Sequence, residues 1–132
     1  MGVTPAGAPI EIRVGRSDRP LLVAFLATRC DGCAEFWQGF GGEGGGGLPA
    51  SVSAVVVTRG PDFVAPEEVA RVAGAVVGAP VVMSDQAWGD YRVLGYPFFV
   101  LVDPASGTVI GETVGFGWSD VRSMIRSAGQ ES

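Results

Sequence analysis

Two cysteines separated by two residues are the part of this sequence best suited to chemistry. Cys30 and Cys33 enclose Asp31 and Gly32, and a long apolar run precedes them. This spacing at a junction between a strand and a helix lets the two thiols close a small disulfide ring. Cys30 would lie at the helix N-terminus, where free backbone N–H groups favour the thiolate that attacks disulfides. We therefore predict that Cys30 attacks and that Cys33, one turn further along, resolves the mixed disulfide.

Three other roles for the cysteine pair stay open on the sequence alone. A zinc site needs a second pair of ligands, and the chain has two Cys and no His, so we predict no metal. A purely structural disulfide would close a loop too short to constrain the unfolded chain much. Two inert core thiols are a third possibility, against which the polar Asp31-Gly32 pair argues. We also predict that no organic cofactor is needed.

The composition excludes several classes of function. With 132 residues, 47% of them hydrophobic and 17% charged, the chain is expected to fold as one domain. All nine basic residues are Arg, so neither a His-based triad nor a lysine Schiff base can be built. The net charge of −5 and the absence of a basic run argue against nucleic acid as a partner. The Gly, Ala, Val and Arg bias without Lys is typical of a GC-rich, bacterial genome.

The start of the chain and its apolar runs were compared with the patterns of signal peptides and membrane helices. The start lacks the basic and apolar regions of a signal peptide, and no apolar run reaches the roughly 18 residues of a membrane helix. We therefore expect no membrane segment in this chain. We predict a flexible N-terminus at 1–8, one domain at 9–128 and a tail at 129–132.

Apolar patterning predicts strands that alternate with helices, followed by a hairpin and a last helix. The run at 21–27 is apolar almost throughout, as in a strand buried on both faces. The other predicted strands are 10–14, 53–58, 79–84, 98–103 and 108–114. The predicted helices are 31–40, 66–76, one capped by Asp85 and ending near 93, and one from 119 or 120 to 128. This order predicts an α/β fold, a central mixed sheet with helices on both sides.

Other conspicuous residues are assigned structural roles. We expect Phe36, Phe40, Trp88 and Trp118 in the core or at its rim, and Asp103 in a turn. Residues 39–49 include the Gly-rich stretch 41–47. Because glycine has too much backbone freedom to hold a helix, we predict a surface loop here. A lid that contacts a partner is the alternative for this loop.

Two segments resemble the TlpA/ResA-like thioredoxin family. Residues 25–33 (FLATRCDGC) resemble its active-site segment, usually written F-W-A-T-W-C-x-P-C. Residues 91–97 (YRVLGYP) resemble its approach to a cis-proline, and 99–103 with Val114-Gly115 match the hairpin that follows. The resemblance covers about residues 9–127.

The resemblance implies a thioredoxin-like fold and thiol–disulfide exchange. The implied partners are protein thiols and disulfides and an upstream redox protein, and the chain is expected to act as a monomer at an extracytoplasmic site. Pro97 is implied to be cis beside the disulfide, which leaves the Tyr96 backbone free to pair with an extended substrate. Two alternatives to this function remain. One is a peroxiredoxin-like peroxidase, although this sequence lacks the Thr-x-x-Cys spacing usual in such enzymes. The other is a redox-inert binding module with the same fold.

The sequence departs from the family pattern around the cysteines. Arg29 replaces the usual Trp, and its charge either favours the Cys30 thiolate, against Asp31, or is simply solvated. Gly32 replaces the usual Pro. Ala24 stands where thioredoxins proper carry a buried Asp, so the usual proton acceptor for Cys33 is missing, and Glu35 and Glu112 are candidates to replace it.

Overall fold

The computed structural model describes ten parts of the chain. They are residues 2–3, 9–10, 19–28, 33, 36–37, 52–74, 76, 79–103, 105–115 and 117–130. Predictions that concern Arg29, Cys30, Asp31, Gly32, Glu35, Phe40, residues 11–14 and the Gly-rich loop lie outside the described residues.

One mixed sheet of seven strands runs through the described residues. The strands are β1 (Gly2–Val3), β2 (Pro9–Ile10), β3 (Leu21–Phe25), β4 (Ser53–Thr58), β5 (Val81–Met83), β6 (Phe98–Val102) and β7 (Val109–Val114). Their order in the sheet is β2-β1-β5-β4-β3-β6-β7. β3, β4 and β5 are parallel, whereas β6, β7, β1 and β2 join antiparallel.

Three helices with defined ends accompany the sheet. They are Pro66–Ala73, Asp85–Asp90 and Trp118–Gln130, and Cys33, Phe36 and Trp37 are also helical. Pro66 lies in the first turn of its helix with Glu67 and Glu68, where a fixed φ and negative charge both favour a helix start. Several observed strands and helices are one to three residues shorter at an end than predicted, because the apolar pattern of the sequence continues into the adjoining turn.

Alternate residues of the central strands enter two apolar clusters on opposite faces of the sheet. We call the first the cysteine-side cluster: Leu22, Ala24, Leu26, Cys33, Phe36, Trp37, Val56, Phe99, Leu101, Trp118, Val121 and Ala128. We call the second the opposite cluster: Val23, Phe25, Val55, Val57, Val82, Ala87, Trp88, Val100 and Val102. The last helix covers the first cluster and the helix Asp85–Asp90 covers the second. The predicted α/β class, with helices on both sides of a mixed sheet, is confirmed.

Two features differ from the sequence-based predictions. Ser84, not Asp85, is the N-cap of the short helix, because the Ser84 side chain accepts the N–H of Ala87. The segment expected to be a flexible N-terminus also contributes strand β1, which pairs with β5 through Val3 and Met83. Gly2 permits this pairing, since a Cβ there would lie 2.6 Å from the Met83 carbonyl oxygen.

Candidate functional site

Cys33 is the described member of the cysteine pair, and it lies in the core. Its side chain is 0% exposed, and its Sγ accepts the backbone N–H of Ala27 at 3.4 Å. Ala27 comes two residues after the end of β3. The hydrogen bond therefore links this thiol to the chain leaving the central strand, the junction at which the sequence analysis located it.

Ala27 makes a second link between the same two segments. Its carbonyl oxygen accepts the indole N–H of Trp37 at 3.0 Å. The nearby ring of Phe36 packs against Phe99, with centroids 4.7 Å apart, and against Trp118 at 5.0 Å. These contacts hold the helical residues against β6 and the last helix. Phe36, Trp88 and Trp118 are all buried, so their predicted structural roles are confirmed.

The segment Tyr96-Pro97 lies at the same edge of the sheet. The Tyr96–Pro97 peptide bond is cis. β3 and β6 are antiparallel and Phe25 opposes Phe98, so the start of β6 lies beside the end of β3. Pro97 is buried, and its carbonyl oxygen accepts the N–H of Gly115 at 3.0 Å. Tyr96 is half exposed, with its ring 6.0 Å from that of Trp88.

A groove of about 550 Å³ opens beside this edge. Ala27 and Thr28 line it just before the position of Arg29 and Cys30, and Tyr96 lines it just before Pro97. Arg59 and Phe63, from the segment after β4, also line it. A substrate held here would therefore contact both sequence segments that carry the family resemblance.

Arg59 is fixed at the groove by Asp85 and two aromatic rings, of which that of Trp88 has its centre 5.5 Å from the guanidinium carbon. The Nε of Arg59 donates to Asp85 Oδ1 at 2.6 Å, and its guanidinium carbon lies 3.7 Å from the centre of the Phe63 ring. The same Asp85 oxygen accepts the N–H of Gly60 at 3.0 Å. Asp85 thus joins the segment after β4 to the helix Asp85–Asp90, a role that differs from the helix cap predicted for it.

The sequence analysis did not single out Arg59 or Phe63. The alternation of strands and helices along the chain was a partial signal, because it favours parallel strands. β3 and β4 are indeed parallel neighbours, so the residues after each strand emerge at the same edge of the sheet. Arg59 directly follows β4, as Leu26 directly follows β3. Residues after the second strand were therefore candidates for the site.

The structure does not support Glu112 as a proton acceptor for Cys33. Glu112 is exposed and opposes Val100 across β6 and β7. Opposed residues point to one face, and Val100 belongs to the opposite cluster. Glu112 therefore lies on the other side of the sheet from Cys33. The sequence could not decide this, because the choice of face depends on the register of a hairpin that also contains an irregularity between Leu101 and Val102.

Ala24 is buried on the same side of the sheet as Cys33. It is 0% exposed and shares the cysteine-side cluster with Cys33. The buried polar side chains among the described residues are Thr58 and Ser84, so in this part of the chain no buried carboxylate accompanies Cys33.

Two features are absent from the described residues. Within them, no group of three or more His, Cys, Asp or Glu side chains is arranged to hold a metal ion. No helix in the described part of the chain has the length and apolar character to cross a membrane.

The architecture is the thioredoxin-like fold, and solved structures agree. A thioredoxin-like protein from Aeropyrum pernix superposes with a TM-score of 0.72 at 15% identity, covering 96% of this chain and 87% of the other. StoA from Bacillus subtilis gives 0.62 at 17% identity, with 94% and 93% covered. A putative thiol:disulfide interchange protein DsbE from Chlorobium tepidum gives 0.63 at 19%, with 84% and 80% covered. No protein-family model and no curated protein sequence matches the chain.

Proposed function

We propose that this protein is a TlpA/ResA-like thiol–disulfide oxidoreductase that exchanges a Cys30–Cys33 disulfide or dithiol with protein substrates. One observation carries the proposal. Cys33 is buried beside the end of the central strand, where its Sγ accepts the N–H of Ala27, at the edge where Tyr96 and Pro97 precede β6. The thioredoxin-like fold supports a redox role for a cysteine pair at this place.

The exchange proceeds in two displacement steps. The Cys30 thiolate attacks one sulfur of a substrate disulfide, so that bond breaks, a mixed disulfide forms and the other substrate sulfur leaves as a thiolate. Cys33 then loses its proton and attacks the Cys30 sulfur. The substrate leaves with its second thiolate, and a Cys30–Cys33 disulfide remains. Two electrons have passed to the substrate, and an upstream dithiol protein restores the pair; the reverse sequence oxidises a substrate dithiol.

The burial of Cys33 supports this division of roles. A thiol with no exposed surface cannot reach a disulfide on a separate protein, but it can attack a sulfur one helical turn away. Cys30 precedes it in the sequence and is assigned the exposed, attacking role. Arg29, Asp31 and Gly32 are proposed to tune that thiolate, and the Tyr96 backbone to pair with the substrate chain.

Thiol counting tests the proposal directly. Alkylation and mass spectrometry, with and without prior reduction, should show two more modified thiols after reduction. Cys33→Ser should accumulate mixed disulfides with a protein substrate such as insulin, whereas Cys30→Ser should accumulate none. Equal thiol counts in both states would reject the redox role, and trapping through Cys33 in Cys30→Ser would reverse the assignment.

Two further measurements define the class of reaction. Insulin reduction without peroxide consumption is expected, whereas rapid peroxide consumption would favour a peroxidase and neither activity a binding module. The Cys30–Cys33 reduction potential decides the direction of exchange. A value near about −270 mV, like that of thioredoxin, indicates a reductant, and one near about −120 mV an oxidant. The extracytoplasmic site implied by the resemblance is part of this proposal.

A further inference from the structure

The geometry points to Arg59 as the residue that selects substrates: it binds a carboxylate of an acidic protein segment next to the substrate's reactive cysteine. This inference rests on the proposed function and adds a preference that the proposed function does not contain. The occupant of the groove beside Tyr96 is then an extended segment that carries an Asp or Glu side chain.

The guanidinium of Arg59 is held in a fixed orientation at the groove. Asp85 binds Nε from one side and the Phe63 ring covers one face, and Arg59 lines the groove while Asp85 does not. Among the described residues, no partner reaches the two terminal nitrogens of Arg59. A planar guanidinium whose orientation is already fixed loses little entropy when those nitrogens bind a carboxylate in two-point fashion.

Arg59 also lies at the same groove as the segments next to Cys30 and Pro97 in the sequence. The same groove is lined by Thr28, two residues before Cys30, and by Tyr96, directly before Pro97. A substrate chain that paired with the Tyr96 backbone would hold its side chains over this groove. Phe63 and Tyr96, 66% and 50% exposed, offer apolar surface on which such a chain can lie.

A charge of the opposite sign also faces the groove and has to be considered. Glu68 lines it, but its side chain is only 15% exposed, and its Oε1 lies 3.8 Å from Nη2 of Arg71. Arg71 is itself 71% exposed, so this ion pair is weak, and an incoming carboxylate has to bind at the Arg59 guanidinium and away from Glu68. Because the protein as a whole carries a net charge of −5, an acidic segment would be bound through the local guanidinium and not through a general field.

The test uses matched peptide disulfides. Three peptides carry one cysteine as a mixed disulfide with 2-thiopyridine, with Glu, Gln or Lys on both sides of it. The reduced protein attacks the peptide sulfur and releases 2-thiopyridone, which is followed by absorbance. Each kcat/KM is divided by the rate of the same peptide with dithiothreitol, which removes differences in intrinsic reactivity.

We expect the Glu peptide to react roughly tenfold faster than the Gln peptide, and the Lys peptide to react most slowly. Arg59→Gln should lose about tenfold on the Glu peptide and change the Gln peptide by less than about twofold. Arg59→Lys should keep part of the preference. Arg126→Gln, which removes the same charge from an exposed site on the last helix, is the matched control and should keep all of it.

A binding arm separates this inference from the proposed function. Anisotropy of labelled peptides with Ser in place of Cys, on the Cys30→Ser protein, measures affinity without any redox step. If no peptide disulfide reacts, the proposed function fails, and selective binding that Arg59→Gln abolishes would still support the inference. Equal affinities for the Glu and Gln peptides, or equal losses in Arg59→Gln and Arg126→Gln, would overturn it. Unchanged circular dichroism confirms that each variant is folded.

Discussion

Cys33 and Ala24 both lie in an apolar environment. Both are 0% exposed, and both belong to the cysteine-side cluster with Leu26 and Phe99. The methyl group of Ala24 cannot accept a proton, so in the proposed exchange another group must take the proton that Cys33 loses.

Ala24→Asp should therefore be costly in this protein. An unpaired carboxylate among apolar side chains is expected to lower the free energy of unfolding at neutral pH by about 3–5 kcal/mol. The loss should shrink as the pH falls toward about 4, because the buried carboxyl then stays protonated in both states. Ala70→Asp, on the exposed face of the helix Pro66–Ala73, is the control, with an expected change below about 1 kcal/mol. Urea titrations measure both, and equal losses would contradict the placement of Ala24.

Tyr91 is a residue whose charge state is linked to folding. Burial raises its pKa above the ordinary value of 10.0, and the nearby Asp90 carboxylate raises it further. Its ring packs 5.8 Å from that of Phe25. Below pH 10 the phenol is protonated in the folded and unfolded chain alike, so its contribution to stability is complete. Above that pH the unfolded chain loses the proton first, so stability falls as the pH rises.

Tyr91→Phe removes this titration. Between pH 9 and 11 the urea midpoint of the variant should fall less steeply than that of the parent protein. Tyr96→Phe, the same change at a half-exposed ring, serves as the control for the loss of a tyrosine hydroxyl. Parallel curves for the parent and Tyr91→Phe would show that this phenol contributes nothing to the alkaline loss of stability.

At the scale of elements, one glycine permits the contact between the hairpin and the cysteine-side helix residues. Gly115 follows β7, and its N–H binds the Pro97 carbonyl. A Cβ there would overlap the Phe99 ring and lie 2.9 Å from Cζ of Phe36. Both rings are fully buried, so neither can easily move away.

Gly115→Ala should therefore destabilise the fold by about 1–3 kcal/mol through overpacking. Gly89→Ala is the matched control, because a Cβ at Gly89 meets nothing within 4 Å. Gly89 lies in the helix Asp85–Asp90, where Ala is favoured over Gly by about 1 kcal/mol. Thermal unfolding of both variants should give a lower midpoint for the first and an equal or higher one for the second. A midpoint for Gly115→Ala equal to that of the parent would contradict the described packing.

The whole molecule is organised around β3, whose side chains reach both clusters. Leu22 and Ala24 enter the cysteine-side cluster, and Val23 and Phe25 enter the opposite cluster. A strand shared in this way should make the two layers unfold together.

The three tryptophans allow this to be measured. Trp37 and Trp118 report on the cysteine-side cluster and Trp88 on the opposite one. Trp88→Phe leaves only the first pair, and the double variant Trp37→Phe with Trp118→Phe leaves only Trp88. In each variant the fluorescence transition in urea should coincide with the loss of far-UV circular dichroism. Fluorescence that changes before the circular dichroism in either variant would show that one layer opens alone.

Features that depend on residues close together along the chain could be predicted from the sequence alone. The apolar run that forms β3 predicted a strand buried on both faces, because each residue of such a strand contacts one of two apolar layers. The bounds of β4 were predicted residue for residue at Ser53–Thr58. The cysteine spacing after that run, together with the YRVLGYP segment, predicted the edge at which Cys33 and Pro97 are found, and hence the fold class.

Features that depend on pairing between distant segments could be recognised only in the tertiary structure. Hairpin register put Glu112 on the far face from Cys33. A two-residue strand such as β1 carries no period that could reveal it, and its place follows from contacts with β5. Arg59, Phe63 and Asp85 are up to 26 residues apart in sequence, and only the parallel alignment of β3 with β4 brings Arg59 to the edge occupied by Ala27 and Tyr96. Their role follows from distances in space, which a linear pattern does not contain.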